Sequence, residues 1–137
     1  MKNPMVSLIS HRYVKNQYVL LENLPYCVYF ISDGEFVKIG VAASLPNRIR
    51  ELQTGNPRKL FALYVIETDS QKDALKIESE LHNLFSNVRC IGEWFDVNDE
   101  EIKRGCRKLG YIPKVPASKF DFEIDGILLV KRRETDN

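Results

Sequence analysis

Long hydrophobic runs are missing from this sequence; nothing in it approaches the ~20 consecutive apolar residues of a membrane-spanning helix. A charged segment followed by an apolar one, the mark of a signal peptide, is missing at the N-terminus. Cysteine is scarce and odd in number. Cys27, Cys90 and Cys106 stand at long, irregular spacings that fit neither a disulfide framework nor a zinc motif. The expectation is reduced thiols in a cytoplasmic protein. A surplus of one charge is also absent: 20 Lys and Arg against 19 Asp and Glu leave a formal charge of +1. That balance does not advertise wholesale coating of nucleic acid, so any such contact must use a local patch. No internal repeat or low-complexity segment occurs. What remains is 137 residues, 44% hydrophobic and 28% charged, which is enough for one globular domain with a real core.

The most legible stretch is Tyr26 to Gly40, YCVYFISDGEFVKIG. Two apolar runs flank Asp33-Gly34, the strongest short-range hairpin signal. With those two residues as the turn, Tyr29 faces Lys38, Phe30 faces Val37 and Val28 faces Ile39. Opposed residues share a face, so Tyr29 and Lys38 lie side by side on one face while Val28, Phe30, Val37 and Ile39 line the other. The Tyr–Lys pair is then either a snorkelling pair at a sheet edge or the floor of a site.

The remaining elements follow in order. Residues 1–23 have no clean period, and either a strand or a short helix fits them. Ser44 as N-cap, Pro46 in the first turn and Gly55 beyond the end predict a helix from about Leu45 to Thr54. Leu45, Ile49 and Leu52 are its buried stripe. At ~100° per residue Arg48 falls beside that stripe and Arg50 points away from it. KLFALYVIET is apolar on both faces and reads as a central strand, which joins the hairpin in a small three-stranded sheet. Ser70 opens a longer helix to about Phe85, with Ala74, Leu75, Ile77, Leu81, Leu84 and Phe85 in one arc. Glu78 falls in the middle of that arc, with His82 one turn on. A carboxylate centred on an apolar stripe is costly without a partner, and this is the sharpest violation of pattern in the chain. Arg48 is one candidate partner. Trp94-Phe95 after a Gly-Glu turn reads as a hydrophobic plug. Asn98 and Glu101 cap a helix of about Asp99 to Leu109, stopped by Gly110 and basic outside at Lys103, Arg104, Arg107 and Lys108. Asp125-Gly126 predicts a terminal hairpin, followed by a disordered tail.

The order is hairpin, helix with a seam arginine, strand, helix with an inward glutamate. It resembles the GIY-YIG nuclease superfamily, with CVYF and VKIG in the places of the two triplets and RIREL and LKIESELH matching the arginine and glutamate helices. The KIG form, the TGNP segment and the ELHNLF…GEWF ending look most like a small phage-and-bacterial branch of it. The resemblance covers about Tyr26 to Val97. It implies an α+β fold, a small three-stranded antiparallel sheet flanked by helices. The organisation expected is an N-terminal extension at 1–24, the nuclease-like domain at 25–112, and a C-terminal hairpin and tail at 113–137. The implied activity is Mg²⁺-dependent (or Mn²⁺-dependent) hydrolysis of phosphodiester bonds in DNA, or in RNA. By position, Tyr29 matches the first-triplet tyrosine and Gly40 the second-triplet glycine. Arg48 matches the phosphate-holding arginine, and Glu78 the metal-binding glutamate. The sequence departs from the pattern at Cys27, where a glycine is usual, at Val28 for isoleucine, at Lys38 for the second tyrosine, and at Leu52 for a histidine.

These residues suit phosphodiester chemistry, which needs an activated water, a shielded phosphate and a protonated leaving oxygen. Glu78 offers an oxygen to a hydrated divalent cation. Arg48 offers a planar fork to two phosphate oxygens. Tyr29 is a poor base near its ordinary pKa of ~10 unless a cation such as Lys38 favours the phenolate. Lys38 could instead meet phosphate. His82 is a candidate second metal ligand or leaving-group acid. The competing reading is a catalytically weak or inactive nucleic-acid-binding module of the same fold, resting on the departures just named. A protein-interaction domain is the third. Taken singly, the Tyr–Lys pair could be an edge pair, Arg48 a surface partner of Glu51, and His82 a rim histidine.

Overall fold

A computed structural model of the chain describes residues 18–20, 24–117, 122–124 and 127–130. Its centre is an antiparallel hairpin of β2 (Cys27–Ser32) and β3 (Val37–Ala42). The pairing places Tyr29 opposite Gly40, Phe30 opposite Ile39 and Ile31 opposite Lys38. The turn therefore sits one residue later than the sequence predicts. Gly34 and Glu35 are its centre, and the Asp33 N–H donates to the Phe36 carbonyl at 3.1 Å. The cause is the Asp33 side chain, which accepts from the amides of both Glu35 and Phe36 and so belongs at the corner before the turn. Gly34, at φ 99°, supplies the positive dihedral at the first central position. The register moves by two residues, and because strand side chains alternate, every face assignment survives. Tyr29 and Lys38 share a face but are diagonal neighbours.

The sheet has five strands, not the three expected. Its order is β4 (Phe61–Glu67), β2, β3, β6 (Trp94–Phe95), β5 (Arg89–Ile91), with every neighbour antiparallel. The two added strands come from the segment read as a turn and a plug. Trp94 pairs with Lys38 and Phe95 with Val37. β4 is consequently at one end of the sheet, not central. Its apolarity on both faces has another cause: the sheet divides two cores, and β4 contributes to both.

On one face Val28, Phe30, Ile39, Tyr64 and Phe95 meet Ala74, Ile77 and Leu81 of α2 (Gln71–Leu84) and Ile102 and Cys106 of α3 (Asp99–Leu109). On the other, Cys27, Tyr29, Ile31 and Val65 meet Leu45 and Ile49 of α1 (Leu45–Gln53). Each large side chain fully buried there contributes on the order of 1.5–3 kcal/mol. The helix starts are those expected, with Ser44, Ser70 and Asn98 as N-caps and a reciprocal box between Asn98 and Glu101. Gly110 closes α3 at φ 89°. The arc drawn for α2 is too wide in one respect: Leu75 is 45% exposed. On the basic face of α3, Arg104, Arg107 and Lys108 are exposed, whereas Lys103 pairs with Asp99 and Glu100.

Short strands flank this body. β1 (Tyr18–Leu20) pairs in parallel with β7 (Val115–Ala117), so the strand alternative holds for that part of the N-terminal stretch. β8 (Phe122–Ile124) and β9 (Ile127–Val130) pair antiparallel as the predicted terminal hairpin requires; its turn residues 125–126 and the tail 131–137 lie outside the described residues. Among the described residues no helix is long and apolar enough to cross a membrane. All three cysteines are free, and burial pushes the thiols of Cys27 and Cys106 up to about 12, which keeps them protonated and inert.

Candidate functional site

The two faces of the sheet can share a site only where a strand edge is uncovered. β3 provides that edge. It has β2 along its whole length on one side but pairs with β6 only through Val37 and Lys38. Just past that point Ile39 is gripped from two directions. Its N–H donates to the Glu93 carbonyl at 3.0 Å, and its carbonyl lies 2.8 Å from Nε2 of His82. A carbonyl only accepts, so Nε2 carries the proton and the imidazole is a donor here. Ile39 thus fastens the β5–β6 turn and helix α2 to the same residue, between Lys38 and Gly40.

Around this anchor Glu78, His82 and Glu93 each offer a ligand atom, and these atoms all lie within 4.8 Å of one another. Glu78 and His82 come from successive turns of α2, Glu93 from the turn between β5 and β6. Glu78 is half-buried, less enclosed than its place on the apolar arc suggests. Burial still holds its carboxyl above the usual carboxylate range, and the nearby Glu93 adds to the rise, while His82 and Lys38 oppose it. Arg48 is not its partner, although the sequence allowed that pairing. The Glu78 and Glu93 carboxylates thus lie close together, with Lys38 ion-paired to Glu93. The donor set of two carboxylates and one imidazole fits a divalent cation.

Lys38 donates to Glu93 Oε1 at 3.1 Å and lies 5.9 Å from the centre of the Trp94 ring. It was expected to favour the phenolate of Tyr29, and it does not. The two-residue change of register carries it off the direct cross-strand position, and Glu93 takes the ammonium. Tyr29 is 2% exposed, and burial drives its phenol well above the ordinary tyrosine range. Glu93 and Glu78 push the same way, and Arg48 is the cation that opposes them. Among the described residues the Tyr29 hydroxyl has no hydrogen-bond partner. Its ring lies against Gly40, where an added Cβ would stand 2.6 Å from Cζ.

Arg48 is half-exposed on α1, with Glu51 as its ion-pair partner at 3.6 Å, and Arg50 is exposed and bonded to Asn47. The seam-and-solvent division between the two arginines is the one the helix phase predicts. An exposed pair at that length is weak, so Glu51 holds the Arg48 guanidinium only loosely. Lys38, Glu78 and His82 thus gather with Glu93 at the β3 edge, and Arg48 on α1 is linked to them only through its electrostatic influence on the buried Tyr29. Sequence reasoning missed Glu93. Its signal is present in GEWF, where the acid of the Gly-Glu turn immediately precedes two aromatic residues, but only the pairing of Trp94-Phe95 with β3 carries that turn to the site.

The profile of the T5orf172 domain matches residues 26–110. The chain belongs to the T5orf172 domain family. Membership suggests a nuclease-like or DNA-binding role, and the matched span contains every residue just described. No curated protein and no solved structure matches the chain.

Proposed function

We propose that this T5orf172 chain is a metal-dependent endonuclease of the GIY-YIG type that hydrolyses DNA phosphodiester bonds. The observation that carries the reading is the cluster of Glu78, His82 and Glu93, whose donor atoms lie within 4.8 Å of one another next to Lys38, with the buried Tyr29 within electrostatic reach of Arg48, Glu93 and Glu78. Glu78 would hold a divalent cation, Mg²⁺ or Mn²⁺, which when bound shields the phosphate and acidifies water. Arg48 grips two phosphate oxygens with its planar fork. Lys38, only 15% exposed at its side chain and held by Glu93, adds positive charge beside the same phosphate. His82 is fixed by the Ile39 carbonyl, which takes the Nε2 proton and leaves the ring's lone pair on Nδ1. Gly40 leaves room for the Tyr29 ring to lie against the strand.

Tyr29 in the free protein is a neutral phenol and therefore a hydrogen-bond donor. Burial above all, and after it the charges of Glu93 and Glu78, keep it protonated, so a role as base requires added positive charge beside it that outweighs both. Until then the hydroxyl orients a water or a phosphate oxygen.

The same two features, a protonated Tyr29 and a Lys38 engaged by Glu93, favour the second reading, a DNA-binding module without cleavage. Incubating supercoiled plasmid with the protein and Mg²⁺ or Mn²⁺ separates the two. Nicking that disappears in Glu78→Ala supports hydrolysis. Retarded migration without nicking, unchanged in Glu78→Ala, supports binding alone.

A further inference from the structure

We propose that Glu93 and His82 complete, with Glu78, a three-donor site for a borderline transition-metal dication such as Mn²⁺, in preference to Mg²⁺. The inference rests on the reading of Glu78 as the metal-binding residue and adds to it the ligand set and the class of ion.

Two observations carry it. The first is distance: the three donor atoms lie within 4.8 Å of one another. Donors held ~2.1 Å from one ion stand roughly 3–4 Å apart, so a small side-chain rotation closes the triangle. The second is the imidazole tautomer. Nε2 donates to the Ile39 carbonyl, so Nδ1 carries the lone pair. Arg89, which can only donate, faces Nδ1 at 3.4 Å and agrees with that assignment. A ligating histidine that gives its other N–H to a backbone carbonyl is the usual outer-shell arrangement of metal sites; it fixes both ring and tautomer.

The donor types choose the ion. Mg²⁺ demands oxygen ligands and keeps most of its water. Imidazole nitrogen suits later, softer ions, and two carboxylates keep manganese within range. Lys38 occupies only Oε1 of Glu93, and a carboxylate has a second oxygen. Arg89 is exposed and its contact with Nδ1 is long, so it can yield the nitrogen.

The test is metal binding by titration calorimetry, with Mn²⁺ paramagnetic resonance as a second readout, on the full chain without DNA. Mn²⁺ is expected to bind at one site at least about tenfold more tightly than Mg²⁺. Glu93→Gln and His82→Gln are each expected to weaken Mn²⁺ binding by about 10–100-fold. His82→Gln should also narrow the gap between the two ions. It keeps a donor within reach of the Ile39 carbonyl while removing the Nδ1 lone pair. Glu93→Gln, whose side chain is 41% exposed on a turn, carries the test alone should the histidine variant fail to fold. Equal binding of the two ions, or Mn²⁺ binding unchanged in the folded variants, overturns the site. Nicking with Mg²⁺ could survive that result and leave the nuclease reading standing. Tight Mn²⁺ binding without nicking would do the reverse.

Discussion

The Tyr29 ring is packed so closely under Gly40 that the backbone of β3 acts as one wall of its slot. Any side chain at position 40 must displace the phenol. The ring cannot yield easily, because Tyr29 is buried among Cys27, Ile31, Leu45 and Val65. Gly40→Ala is expected to cost about 1–3 kcal/mol, the range for overpacking a close-packed core, and to remove nicking. Denaturant unfolding measures the first and the plasmid assay the second. Wild-type activity in Gly40→Ala would mean that the hydroxyl of Tyr29 takes no part.

Arg48 and Arg50 offer an internal comparison. They are adjacent in sequence and point in different directions on α1. Arg48→Ala should lower the nicking rate by about 10²-fold or more, the scale on which a single charge-stabilising donor acts. Arg50→Ala should leave most of the rate, since its partner is Asn47 on the outer face. Equal losses would place the phosphate elsewhere.

Glu78 should show the conflict between function and stability. Its carboxyl is held above the usual range, chiefly by burial and next by Glu93. The folded chain therefore binds that proton more tightly than the unfolded chain, where the value is ~4.3. The stability this adds is complete below the unfolded value and is lost as pH rises through the folded one. At neutral pH the charged side chain is a burden. Glu78→Gln, free of metal, is expected to melt at a higher temperature than the parent at pH 7.5, with the advantage shrinking toward pH 4. A lower melting temperature at pH 7.5 would refute this assignment. The same variant should lose nicking.

Gly105 provides a control far from the β3 edge. An alanine there gains about 1 kcal/mol of helix propensity. Its Cβ, however, would stand 2.6 Å from Cζ of the buried Phe85 and 3.0 Å from Leu84. The clash, worth about 1–3 kcal/mol, outweighs the gain. Gly105→Ala should unfold at lower denaturant while the folded fraction keeps its nicking rate.

Much of this architecture could be read from local chemistry. The helix caps at Ser44, Ser70 and Asn98 and the stop at Gly110 depend on a few neighbouring atoms, and those positions agree. The faces of the hairpin were readable because alternation survives an even shift of register. The turn itself was not, since Asp-Gly satisfies two loops equally until the Asp33 carboxylate commits to two amides. The fourth and fifth strands were harder still. β6 has two residues and β5 three exposed ones, too few for any period, and only pairing with β3 makes them strands. Glu93 was lost for that reason. The electrostatic roles were the least legible, because whether Lys38 serves Tyr29 or a carboxylate depends on a partner 55 residues away in the chain.

Trp94 is the chain's single tryptophan, and it stands beside the Lys38 ammonium on the strand that follows Glu93. The molecule thus carries a built-in optical probe a few ångströms from its charged rim. Any event that pulls the lysine away from the indole, whether cation capture by the carboxylates or arrival of a nucleic-acid strand, should register as a change in intrinsic fluorescence without a label.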